Sequence, residues 1–203
     1  MSDGKRIVGI LLAAGRGERF GGEKLLARVR AAPAGPAPLA SAGNDCVGAL
    51  ACRNLAAALP DVIAVVRPGD AALAEALRAA GARIVPCANA ADGMGASLAC
   101  GVKATRDAAG WIVVLGDMPW IAESTIVRVV RAIADGAIVA APFYRQLRGH
   151  PVGFGAACFA ELAALSNDDG AKSVVAAYRD SLVRIDVEDP GTLRDVDRPD
   201  DLT

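Results

Sequence analysis

The sequence has little that binds metals softly or cross-links. Its 203 residues include one histidine, His150, and five cysteines, Cys46, Cys52, Cys87, Cys100 and Cys158, none of them in a CxxC pair. That set excludes a zinc centre of the usual kind and argues against a disulfide framework, which leaves free thiols in a reducing cytoplasm. Aromatic residues make up only 4% of the chain while more than half of it is hydrophobic, so Ala, Val, Leu and Ile must build the core. Net charge is −1, so no whole-chain basic field draws the protein to nucleic acid or to a membrane. The apolar run at residues 7–12 is too short for a signal sequence, and no stretch is long enough to span a bilayer. A soluble, cytoplasmic protein of one domain, residues 1–203, is the expectation.

What is present is alternation. Short apolar runs at 7–12, 62–66, 83–86, 111–115, 137–141 and 182–187 read as buried strands. Between them, 47–59, 70–80, 94–105, 124–135 and 171–180 read as helices, with Asp70 at an N-cap and Gly81 as a stop. Strands alternating with helices predict an α/β fold, a mostly parallel sheet covered on both faces, with chemistry in the loops after the strands. Residues 30–44, rich in Ala, Pro and Gly, break the pattern and read as a surface loop.

Five loops carry candidate chemistry. The first is Leu12-Ala13-Ala14-Gly15-Arg16-Gly17-Glu18-Arg19-Phe20-Gly21-Gly22-Glu23-Lys24. Gly15 and Gly17 permit tight turns that aim backbone N–H groups at an anion, and Arg16, Arg19 and Lys24 add positive charge, a combination suited to a triphosphate. Spacing excludes two familiar alternatives. A dinucleotide fingerprint needs a glycine where Phe20 stands, and a P-loop frame from Gly17 through Gly22 lacks the hydroxyl residue after Lys24. The second loop, Gly116-Asp117-Met118-Pro119, sets an acid at a strand end, where magnesium is held. In the third, Gly93-Met94-Gly95-Ala96-Ser97, small residues open a helix whose first N–H groups are free. The fourth, Gly149 to Phe154, contains His150, which suits an acceptor but equally a structural role. The fifth, residues 167–172, contains Asp168 and Asp169, either of which would cap the next helix. The acidic tail from Asp195 to Leu202 reads as a solvated segment.

In this order the loops resemble the molybdenum-cofactor cytidylyltransferase family, within the MobA-like NTP transferase superfamily. The family's LAAGxSxRxGxxK, GMxxSL, GDMP, GHPVxF, GDxGAR and DxDTPEDL elements all have counterparts here, over nearly the whole chain. The resemblance implies a Rossmann-like three-layer fold and a magnesium-dependent transfer of CMP from CTP to the phosphate of molybdopterin cofactor, with loss of pyrophosphate. By match, Leu12, Ala13, Ala14, Gly15, Arg16 and Gly17 would wrap base and phosphates, Arg19 and Lys24 would hold phosphates, and Ser97 and Gly116 would lie at the nucleotide. Asp117 would bind the metal with Asp197 as a second ligand, and His150 and Asp168 would face the acceptor. A client molybdoenzyme is a further implied partner. Ala14 looks like the cytidylyl branch, where its side chain narrows the space for a purine. The sequence departs from the family at Gly17, Phe20, Asn167, Lys172 and Arg198, and an ammonium at Lys172 cannot copy a bidentate guanidinium. Two other readings use the same residues: transfer from GTP or to another phosphate acceptor, and a non-catalytic cofactor-binding insertion chaperone.

Overall fold

The structure is a computed structural model that describes residues 6–15, 20, 22–29, 46–166, 168 and 170–202. Eight strands, β1 (Ile7–Leu12), β2 (Val62–Val66), β3 (Arg83–Pro86), β4 (Gly110–Leu115), β5 (Val139–Tyr144), β6 (Leu147–Arg148), β7 (Val152–Gly155) and β8 (Leu182–Asp186), form one sheet. The order is β3-β2-β1-β4-β7-β5, with β6 and β8 also on β5. β3, β2, β1 and β4 pair in parallel, as do β5 and β8, while β7 runs antiparallel between β4 and β5.

The apolar runs form strands because both of their faces are buried. β2 is buried along its whole length, and β1 throughout its middle. Alternate residues feed opposite layers. Leu11, Ala64, Ile112 and Val114 pack with helices α1 (Val47–Ala58), α2 (Ala71–Ala79) and α4 (Glu123–Ala134). Val8, Ile10, Ile63 and Val113 pack with α3 (Met94–Ala104), α5 (Phe159–Ala163) and α6 (Lys172–Ala177). This is the expected three-layer α/β arrangement. α4 shows the helical side clearly: Ile126, Val129 and Ile133 are buried on one stripe. α2 ends where Gly81 takes φ 103° and Ala82 N donates to Leu77 O, a glycine-terminated Schellman closure.

Some boundaries and roles differ from the sequence reading. The strand expected at 137–141 is Val139–Tyr144, and the helix expected at 171–180 is α6, followed by a 3-10 turn at Arg179–Ser181. The segment read as a loop at 149–154 contains β7. β7 escapes pattern reading because it carries glycines and its partners are distant in sequence. Those glycines let α4 sit close: a Cβ at Gly153 would lie 2.7 Å from Ile133 Cγ1 and 2.8 Å from Val129 Cγ1. Asp168 does not cap α6, which has no side-chain cap; its Oδ1 accepts from Met94 N, at the start of α3. Asp70 holds the N-cap position of α2 without a side-chain cap bond. Residues 30–44 lie outside the described residues, as does Asp169.

Candidate active site

The site lies at the carboxyl ends of the parallel strands, as expected for such sheets. β1 and β4 run in register, Leu12 beside Leu115, and Gly116 N continues that pairing by donating to Leu12 O, while Ala13 N ties the same strand end to β2 by donating to Val65 O, each at 2.9 Å. A Cβ on Gly116 would come 3.0 Å from Leu12 O, so only glycine lets the two strand ends stay this close without one giving way. Asp117 follows at once, partly buried.

Lys24 reaches Asp117 from a 3-10 turn, Lys24–Leu26, anchored by buried Leu25. Its Nζ donates to Asp117 Oδ2 at 2.8 Å and to Asp197 Oδ1 at 3.3 Å. Burial works against its charge, but the hydrogen bonds and charges of Asp117 and Asp197 prevail and raise its pKa.

Asp197 arrives on the tail. Val196 N donates to Asp117 O, and Val196 is fully buried, so Asp195 and Asp197 both project from the opposite side of the extended segment. Asp201 Oδ2 accepts from Asp197 N and Arg198 N and fixes the turn that follows. Carboxylate oxygens of Asp117, Asp195 and Asp197 lie within 4.8 Å of one another. Asp195 is exposed as a residue, but its carboxyl end meets this cluster. There desolvation, and then the charges of Asp197 and Asp117, hold its pKa above the usual carboxylate value. Three carboxylates form a hard-oxygen donor set that suits magnesium or manganese. Asp195 was not recognised as a ligand candidate from the sequence. The signal was its Asp-Val-Asp alternation, which places two acids on one face of an extended chain.

A cleft of about 620 Å³ opens beside this cluster. Leu12, Ala14, Gly15, Lys24, Ser97, Asp117, Asp168 and Asp197 all line it. Ala13 and Gly116 are buried behind the surface and shape its floor through their backbone. Ser97 Oγ donates to Gly93 O in its own helix. Arg67 and Asp70, after β2, also line the cleft and were not singled out as site residues from the sequence. Arg16, Gly17 and Arg19 lie outside the described residues.

His150 does not line the cleft. It sits between β6 and β7, joined by a cis peptide to Pro151, and its backbone N–H donates to Thr192 O. Its Nδ1 is buried with no partner among the described residues. Burial, helped by Arg148 and opposed by Asp117, pushes its pKa down to about 4, so the ring is neutral at pH 7.

A glycine-bearing strand end, a lysine between two acids and a carboxylate cluster over one cleft can bind and neutralise a polyphosphate. Sequence comparison matches residues 9–182 to one family. The chain belongs to the MobA-like NTP transferase domain family. It is a nucleotidyltransferase of the MobA-like type. No curated protein matches the sequence at a significant level.

Solved structures agree on the fold of this MobA-like chain. Rv0371c from Mycobacterium tuberculosis H37Rv is 27% identical, with a TM-score of 0.72 over 98% of this chain and 96% of that one. A second structure of Rv0371c, in complex with manganese, aligns at 24% identity and TM-score 0.70, covering 97% of this chain and 95% of that one. A nucleotidyl transferase from Methanothermobacter is 22% identical, with TM-score 0.74 and coverage of 98% and 94%. Molybdopterin-guanine dinucleotide biosynthesis protein A from Archaeoglobus fulgidus is 17% identical, with TM-score 0.64 and coverage of 96% and 94%. Among the described residues, no helix is long and apolar enough to cross a membrane.

Proposed function

We propose that this MobA-like transferase moves CMP from CTP to the phosphate of a molybdopterin-type cofactor and releases pyrophosphate. The observation that carries the reading is Lys24 held between Asp117, after β4, and Asp197, on the tail, beside the Ala13-Ala14-Gly15 segment after β1. An oxygen of the acceptor phosphate forms a new bond to the α-phosphorus. The bond from that phosphorus to the bridging oxygen breaks, and its electrons leave with pyrophosphate. Positioning and charge neutralisation are the main tasks of a protein in such a transfer.

Leu12, Ala13, Ala14, Gly15, Arg16 and Gly17 wrap the nucleotide, with Ser97 and Gly116 beside it. Arg19 and Lys24 hold phosphate oxygens, Lys24 as a cation kept charged by its acidic neighbours. Asp117 and Asp197, with Asp195, would hold magnesium, which would supply neutralisation of triphosphate oxygens; the manganese complex of Rv0371c supports a divalent ion. Ala14 restricts the base to a pyrimidine. Asp168, on the cleft wall, faces the acceptor, whereas His150 lies outside the cleft lining. The likeness to a molybdopterin-guanine dinucleotide biosynthesis protein supports the acceptor class.

Pyrophosphate release is measured with each of the four nucleoside triphosphates, purified molybdopterin cofactor and magnesium. Release from CTP is expected. Equal release from GTP rules out the cytidylyl assignment, and a silent Asp117→Ala variant with an intact fold supports the metal role. Release from CTP with a sugar phosphate but not with the cofactor rules out the acceptor.

A further inference from the structure

The turn after β2 places two charged side chains, Arg67 and Asp70, on the cleft wall, and the mechanism above uses neither. Both are partly buried. Neither forms an ion pair with the other or with any other described residue, although they carry opposite charges and their backbones meet, Asp70 N donating to Arg67 O. Asp70 also occupies the N-cap of α2, where an aspartate would ordinarily accept from its own helix, yet it makes no such bond. Two charges on one cleft wall, without an ion-pair partner among the described residues, form a donor and acceptor set suited to a ligand.

Sheet order decides which part of a nucleotide they meet. The acids and Lys24 gather at the ends of β1 and β4, so phosphates belong there. β2 lies on the far side of β1 from β4, and β3 lies beyond it. Neighbouring strands are about 4.8 Å apart, so Arg67 stands roughly 10 Å, two strand spacings, from the Asp117 loop. From the phosphates, a bound nucleotide therefore extends across β2, toward the wall formed by Ala90, Gly93 and Ser97 after β3.

Resting on the nucleotidyl-transfer reading, we propose that Arg67 and Asp70 read the edge of the nucleobase and set its identity. The Arg67 guanidinium donates to the ring acceptors of cytosine, O2 and N3. The Asp70 carboxylate accepts from the 4-amino group. A uracil offers a carbonyl oxygen at that position, which a carboxylate repels, so Asp70 selects for the amino base by rejection as much as by attraction. Charge-assisted bonds of this kind are the stronger class.

The test is calorimetric titration of the full chain with magnesium present, using CTP, UTP and inorganic tripolyphosphate. Arg67→Ala is expected to weaken CTP about tenfold or more while leaving tripolyphosphate unchanged. Arg67→Lys keeps the charge but loses the fork, and should recover only part of the affinity. Asp70→Asn, which can donate as well as accept, should reduce the preference for CTP over UTP about tenfold. Equal weakening of CTP and tripolyphosphate makes Arg67 a phosphate ligand and overturns the proposal. So does an unchanged CTP-to-UTP ratio in Asp70→Asn. A wild-type chain that binds no triphosphate overturns the transferase reading along with it, whereas failure of the variants alone leaves that reading standing.

Discussion

Val196 donates its backbone N–H to the carbonyl of Asp117 at 2.9 Å, and this bond stitches the tail to the loop after β4. Asp195 and Asp197 gain their place beside Asp117 from it, and Lys24 completes the set from the other end of the chain.

Lys24 should therefore affect binding and turnover in opposite senses. Lys24→Met removes the ammonium that Asp117 and Asp197 now share. Manganese affinity, followed by electron paramagnetic resonance without nucleotide, is expected to rise. Pyrophosphate release is expected to fall by at least about 100-fold, the usual loss when a charge-stabilising donor is removed. A variant with near-normal turnover would remove Lys24 from the phosphate role.

His150 gives a pH signature opposite to that of a paired histidine. Its folded pKa of about 4 lies below the ordinary 6.5, with burial as the main cause. The unfolded chain therefore takes the proton first as pH falls. Stability is whole above about pH 6.5 and declines toward pH 4, by up to about 3 kcal/mol. Guanidinium unfolding across this range should show the slope, and His150→Gln should flatten it. The profile of kcat/KM should show no inflection near 6.5 from this ring.

Asp189 anchors the turn behind the site. Its Oδ2 accepts from Ala122 N and Thr125 Oγ1 at the start of α4, and its Oδ1 from Gly191 N. Asp189→Ala should cost about 2 kcal/mol, at the upper end for a lost helix cap. Thermal unfolding checks it, and a midpoint within a degree of wild type would contradict it.

The layers were legible in the sequence where burial on both faces leaves continuous apolar runs, as in β1, β2 and β4. The cleft positions of Asp117, Ala14 and Gly15 were legible because each lies just after a strand end, and that of Lys24 because the same glycine-rich segment leads to it. What escaped was set by contacts between distant segments. β7 is defined by its neighbours β4 and β5 and by the space α4 leaves at Gly153. Asp168 was read as a cap for the helix beside it, whereas it reaches Met94, 74 positions away. Asp195 passed for a solvated acid because only the tail's docking reveals which way it faces. Arg67 was silent for the same reason, since nothing in a turn after a strand says which side chain meets the cleft.

The bond from Lys24 to Asp197 joins residues 173 positions apart. Closing so long a loop carries an entropic cost that is recovered only when both ends dock, so helices and neighbouring strands are expected to form ahead of it. Recovered turnover, rather than recovered helical signal, is thus what marks a finished refolding.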